Sequence, residues 1–238
     1  MNKNYDKPIM IADEQFLKVL NDDIKKKFVL LNTAETYTED ISVSRHADIQ
    51  IFCYNDNSIC VPKKLYPHYS VLEKLGINIE VGDEEPKGKY PSDCLYNGAV
   101  ISKDIIIYKE HASVIDKIAK KNNYNMLFVK QGYVKCNLVV FSKYFITSDK
   151  GIYNKLTEKK YEGLLIEEGF INLNGHKHGF IGGCSGIFKD TIYFTGKLNT
   201  HIDGNRIKEF IKSKNYNIVE LTNGLLTDVG SIIILKHL

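Results

Sequence analysis

The sequence predicts an α/β fold of five β-β-α-β units closed into a ring, and three observations lead there. A short hairpin recurs along the chain, as in CLYNGAVISKDIIIY (94–108), CNLVVFSKYFITSD (136–149) and CSGIFKDTIYFTGK (184–197). Each hairpin is followed by a segment with helical spacing and then by one more apolar strand. The two ends of the chain each hold part of such a unit, and joined they complete it.

Taken in order, PIMIA (8–12) reads as a strand and DEQFLKVLNDDIKKK (13–27) as a helix with Phe16, Leu17, Leu20 and Ile24 on one face. FVLLN (28–32) reads as a second strand. The first complete unit follows as IQIF (49–52), SICVP (58–62), YSVLEKLG (69–76) and INIEVG (77–82). The next reads AVIS (99–102), IIIY (105–108), the helix HASVIDKIAKKNN (111–123) with Val114, Ile115, Ile118 and Ala119 at helical spacing, and the strand NMLFVKQG (125–132). LVVF (138–141) and YFIT (144–147) open the third, DKGIYNKLTEKKYEG (149–163) is its weaker helix, and LLIEEG (164–169) its last strand. The fourth has the hairpin GIFKDTIYFTG (186–196), the helix DGNRIKEFIKSKN (203–215) with Ile207, Phe210 and Ile211 on one face, and the strand YNIVELTNG (216–224).

These copies are about 40 to 48 residues long, a period that implies stacked or radial units. The C-terminal strand SIIIL (231–235) has no helix after it, and the N-terminal segment has no hairpin partner before it. Pairing residues 231–235 beside residues 8–12 makes the fifth unit, leaves no exposed edge and ties down both ends. An ordinary open α/β sheet would not place a tight hairpin before every helix. No glycine-rich phosphate loop follows a strand, so the sequence calls for no nucleotide cofactor, nor for any other.

Composition sets the class. The 238 residues are 43% hydrophobic and 26% charged, enough apolar material for a core, read here as one domain over 1–238. The formal net charge is only +3, and the lysines are scattered, which argues against a nucleic-acid partner. No apolar run approaches the length that crosses a bilayer, and the opening MNKNYDKPIMIADEQ lacks a secretory core, so no membrane partner and a cytoplasmic location are expected. Cys53, Cys60, Cys94, Cys136 and Cys184 form no CxxC pair and are expected to be free thiols.

In a radial fold the first strand of each unit lies nearest the axis, so polar residues just before it can converge. These are His46 and Asp48; Asp93, Cys94, Tyr96 and Asn97; Lys135, Cys136 and Asn137; Gly183, Cys184 and Ser185; Asp228 and Ser231. The stretch NGHKHGFIGG brings His176 and His178 just ahead of Cys184. Acid, base, nucleophile and amide types are all present, the set a hydrolytic site uses. Each also has a plainer use: Asp48, Asp93 and Asp228 as acceptors at turns, Asn97 and Asn137 as turn residues, the cysteines as packed thiols.

Five such units in a ring resemble the penteins, the five-bladed α/β propellers. Catalytic members of that superfamily include deiminases and dimethylaminohydrolases that act on guanidino or amidino groups. The resemblance implies a cysteine nucleophile in the last blade, a histidine in the fourth, and carboxylates that grip the planar cation. YPSDCLYNGAVI places Asp93 where a substrate-binding aspartate would stand. VKQGYVKCNLVVF has Gln131 and Lys135 where an acid is expected. The fourth-blade histidine register falls near Gly183, and TDVGSIIIL puts Ile232 or Ile233 where the nucleophile belongs.

Three readings follow. A small-molecule hydrolase or transferase would use Cys184 as a displaced nucleophile, His176 or His178 as its acid–base partner, and Asp93, Asn97, Asn137 and Asp228 to hold the substrate. Alternatively Cys94, Cys136 and Cys184 with a histidine would form a zinc set. The third reading is a non-catalytic binding module, since penteins such as the ribosome anti-association factor carry no chemistry.

Overall fold

The computed structural model describes residues 7–36 and 39–236. Their strands form five sheets of three strands each. Strands β1 (Ile9–Ala12) and β2 (Val29–Asn32) run parallel, Met10 opposite Leu30. Then come β3 (Phe52–Asn55), β4 (Ser58–Pro62) and β5 (Asn78–Gly82), followed by β6 (Ala99–Ile101), β7 (Asp104–Tyr108) and β8 (Asn125–Val129). The next two sheets hold β9 (Leu138–Phe141), β10 (Tyr144–Thr147) and β11 (Glu162–Leu165), then β12 (Ser185–Phe188), β13 (Thr191–Phe194) and β14 (Asn217–Glu220). The last strand, β15 (Ile233–Leu235), pairs antiparallel with β1, Ile234 opposite Met10. Every sheet therefore has one pattern: a middle strand antiparallel to one neighbour, its hairpin partner in four sheets and β15 in the fifth, and parallel to the other.

Local chemistry explains these elements. Three hairpins turn on residues in the left-handed region, Ser102, Ser142 and Lys189, at φ 53°, 55° and 54°. The helix Ser113–Asn122 buries Val114, Ile115, Ile118 and Ala119, and it ends on Asn123 in the left-handed conformation that stops helices. Asp149 caps the helix Lys150–Glu158 by accepting the Ile152 N–H at 2.7 Å. Gly204–Ser213 turns Ile207 and Ile211 inward and leaves Phe210 half-buried.

Two expectations need correction. The helix expected over 13–27 is two short ones, Glu14–Val19 capped by Asp13 and Asp22–Lys25 capped by Asn21. Leu20 goes extended (ψ 140°) and remains buried, and Asn21 restarts the helix. The strand expected over 49–52 begins only at Phe52, because Ala47–Gln50 forms a helical turn. Val134–Asn137 makes the same kind of turn before β9. Such turns aim polar side chains across the inner strands.

Side chains between neighbouring sheets form five apolar clusters. Ile9, Ile11 and Ile233 pack with Ile59 and Val61; Phe52 and Cys60 with Ile105 and Ile107; Ile101 and Ile106 with Leu138 and Phe145. Phe141 and Ile146 pack with Ile192 and Phe194, and Tyr193 and Val219 pack back onto Met10 and Ile234.

Candidate functional site

The loops that lead into β3, β6, β9, β12 and β15 are stitched together by hydrogen bonds. Asp48 N–H donates to Gly230 O at 3.0 Å, Ser231 N–H to Gly183 O at 2.8 Å, and Gly183 N–H to Cys136 O at 2.9 Å. Lys135 N–H donates to Asn97 Oδ1 at 2.6 Å. Asp48, Asp93 and Asp228 all lie buried in this hub.

Asp48 accepts the Ser231 hydroxyl on Oδ2 at 2.7 Å, while its buried Oδ1 has no partner among the described residues. Lys135 Nζ donates to the same Ser231 Oγ at 3.1 Å. Asp228 accepts the Phe180 N–H on Oδ2 and the Gly230 N–H on Oδ1, each at 2.9 Å. His46 Nδ1 stands 3.9 Å from that Oδ1. Burial raises the Asp228 pKa, with the Asp48 charge adding and His46 opposing. A Cβ at Gly183 would meet Asp228 Oδ1 at 2.0 Å, so the position where the resemblance expects histidine is filled by Asp228.

The candidate catalytic set does not assemble. Cys184 is fully buried in an apolar cluster with Val139, Ile146, Ile192 and Phe194, and its Sγ donates to Ile181 O at 3.2 Å. Burial, then the Asp228 charge, pushes this thiol well above its ordinary range. His176 is engaged elsewhere: its Nε2 lies 2.7 Å from Asp40 Oδ2 and 2.9 Å from Ser42 Oγ. His178 Nε2 lies 3.3 Å from Glu168. Asn97 and Asn137 serve the turns, Asn97 donating to Cys136 Sγ at 3.1 Å and Asn137 to Tyr133 O at 2.8 Å. Asp228, bonded to two amides, has the same structural use.

The zinc set does not form either. Cys94 Sγ is bonded to Asp93, Cys136 to Asn97 and Cys184 to Ile181, and among the described residues no group of three or more His, Cys, Asp or Glu is placed to hold a metal.

Asp93 has a different setting. It accepts the Tyr133 hydroxyl on Oδ2 at 2.6 Å and the Cys94 thiol on Oδ1 at 3.1 Å. It lines a pocket of about 580 Å³ whose walls also include Tyr90, Tyr133, Glu39, Asp40, Ser42 and His176. The Tyr90 and Tyr133 rings are 5.3 Å apart, tilted at 43°. Burial and the Asp93 carboxylate push the Tyr133 hydroxyl far up, so it stays a donor. Against its partial burial, hydrogen bonds from Ser42 and the neighbouring His176 hold Asp40 below the usual carboxylate range. Ser42, His176 and Asp40 have the types of a nucleophilic triad but not its wiring. Both partners meet the histidine at Nε2, and Ser42 Oγ itself donates to Asp40 at 2.5 Å.

Of the residues lining this pocket, Asp93 and His176 stood out in the sequence, His176 in the different role of partner to Cys184, while Tyr133, Asp40 and Ser42 did not. The one local signal was Asp40 two residues before Ser42, a helix-cap pairing.

The sequence matches the family of unknown function DUF6873 over residues 11–233. The chain belongs to that family. No curated protein matches it. Solved structures do: DDAH from Pseudomonas aeruginosa, a cysteine-to-serine mutant complexed with citrulline, is 12% identical with a TM-score of 0.51, over 91% of this chain and 92% of that one. C. jejuni agmatine deiminase is 8% identical with a TM-score of 0.53, over 92% and 88%. A cysteine-to-serine form of the C. jejuni enzyme with substrate bound is 8% identical with a TM-score of 0.55, over 99% and 96%. The DUF6873 chain thus has the fold of the pentein superfamily. Among its described residues no helix is long and apolar enough to cross a membrane.

Proposed function

We propose that this DUF6873 chain is a single-domain, closed five-bladed α/β propeller that binds a small guanidino or amidino cation without thiol catalysis. The observation that carries this is Asp93, a buried carboxylate lining a pocket whose walls add Glu39 and Asp40. Within that pocket Lys89 is paired to Glu39 at 3.6 Å and His176 to Asp40 at 2.7 Å, which leaves Asp93 as the pocket carboxylate with no ion pair among the described residues. A planar cation suits the place: its N–H groups meet the remaining lone pairs of Asp93, and its face lies against Tyr90 or Tyr133.

The structural relatives support the substrate class, since one is complexed with citrulline and the others are agmatine deiminases. Their kind of chemistry needs a thiolate, and Cys184 is a buried thiol with a raised pKa. Ring closure is supported by the pairing of β15 with β1 and by the packing of Tyr193 and Val219 on Met10 and Ile234. Five free thiols fit a cytoplasmic location.

Calorimetric titration with agmatine, arginine and the uncharged ureido compound citrulline tests the reading. The two cations are expected to bind at least tenfold more tightly than citrulline. Asp93→Asn and Tyr133→Phe should each weaken agmatine binding, the first by tenfold or more. Equal affinity for citrulline and arginine overturns the proposal, as does release of ammonia from agmatine that Cys184→Ser abolishes.

A further inference from the structure

We propose a second ligand site in this protein, inside the ring of inner strands, for a small monocarboxylate with a straight apolar tail. It does not depend on the cation pocket, with which it shares no lining residue.

The site is a cavity of about 310 Å³, a size at the lower end of small-molecule pockets. Every inner strand gives it apolar side chains, among them Cys53 from β3, Val100 from β6, Val140 from β9, Ile187 from β12 and Ile234 from β15. The first four are only half-buried, although each sits on a strand whose neighbours are packed. Apolar surface converging from all five sheets and still open to water is surface that a ligand tail would cover.

Charge then selects the head group. Lys135 also lines the cavity, half-buried. Its ammonium has three N–H donors, and among the described residues the only acceptor bonded to it is Ser231 Oγ at 3.1 Å. Two donors remain for a ligand, which is what one carboxylate accepts. A phosphate would bring a second negative charge against apolar walls, where an uncompensated charge is costly. A dicarboxylate would bring a second negative charge into a cavity that the exposed Asp56 also lines.

Depth sets the tail. Three consecutive residues line the cavity here, Ile232 just before the last strand and Ile233 and Ile234 within it. At ~3.3 Å per strand residue that is on the order of 7–10 Å, the span of roughly six to eight carbons.

Octanoate, octan-1-ol and octanedioate are the probes, titrated calorimetrically against the full chain. Octanoate is expected to bind once per chain, at least tenfold more tightly than the alcohol or the diacid. Lys135→Met should lower octanoate affinity tenfold or more. Val140→Phe, which fills the cavity and keeps the lysine, should abolish binding while the circular dichroism spectrum stays native. Absence of saturable octanoate binding to the native chain overturns the proposal. So does octanoate affinity that matches octan-1-ol, or that survives in a natively folded Val140→Phe protein.

Discussion

Ser231 donates its hydroxyl proton to Asp48 at 2.7 Å across 183 positions of sequence, joining the approach to the last strand with the turn before β3. The same oxygen accepts from Lys135, so one hydroxyl links a buried carboxylate to an ammonium. Asp48 Oδ1 is already without a partner among the described residues. Ser231→Ala would leave both oxygens so, and an abandoned buried charge costs about 2–4 kcal/mol. Urea unfolding should show that loss, and Asp48→Asn in the same chain should recover part of it. A loss near zero would mean that the hub does not hold a charged Asp48.

Thiol reactivity should be low at neutral pH. Burial pushes Cys53 up to about 12, and it likewise raises Cys60, Cys94, Cys136 and Cys184. Only Cys53 is partly exposed; the other four are buried. Alkylation of the folded protein should therefore begin at Cys53. Its rate should climb about tenfold per pH unit from pH 7 to 10, because the thiolate is the reacting form. Peptide mapping after iodoacetamide treatment checks both points. Fast labelling of Cys184 at pH 7 would contradict the reading of that thiol as inert.

Acid should weaken one outer joint. Asp203 accepts the Glu167 N–H at 2.7 Å and Arg206 Nη1 at 2.6 Å. Burial opposes ionisation there, yet these bonds and the Arg206 charge bring its pKa below the ordinary 3.8. A carboxyl lowered on folding adds stability that is present above 3.8 and is lost as pH falls through the folded value. Asp203→Asn should therefore be less stable than the native chain at pH 7, by about 1–2 kcal/mol. The gap should narrow below pH 4. Thermal melts at pH 7, 4 and 3 compare the two, and a gap that widens in acid would reverse the sign.

Much of the fold was legible because its signals are local. Apolar runs such as Leu138–Phe141, two-residue turns, and the spacing of Ile115 and Ile118 each fix one element. The split unit was readable from leftover strands at both ends, which β1 and β15 pair as expected. What sequence could not show is where a polar side chain finds its partner. Tyr133 meets Asp93 from 40 residues away, and Cys184 turns into a core shared with Phe194 rather than toward His176. A cysteine beside two histidines looks the same in sequence whether its thiol faces a pocket or an isoleucine.

Gly183 offers the sharpest test of the proposal that this chain works without thiol catalysis. At Gly183 the backbone N–H donates to Cys136 O and the carbonyl accepts from Val229 and Ser231, so the position is held from both sides. Asp228 occupies the space into which a side chain would project, its Oδ1 2.0 Å from where a Cβ would lie. The carboxylate cannot swing away without losing its bonds to Phe180 and Gly230. Overpacking of this kind costs about 1–3 kcal/mol even in apolar cores, and here two hydrogen bonds are also at stake. Gly183→Ala should therefore destabilise the chain by about 3 kcal/mol or more in urea unfolding. Asp228→Gly should cost stability alone yet make Gly183→Ala nearly free in the double variant, a coupling of about 3 kcal/mol. If Gly183→His folds with native stability in the presence of Asp228, the site has room for the missing base, and the argument against a catalytic fourth blade fails.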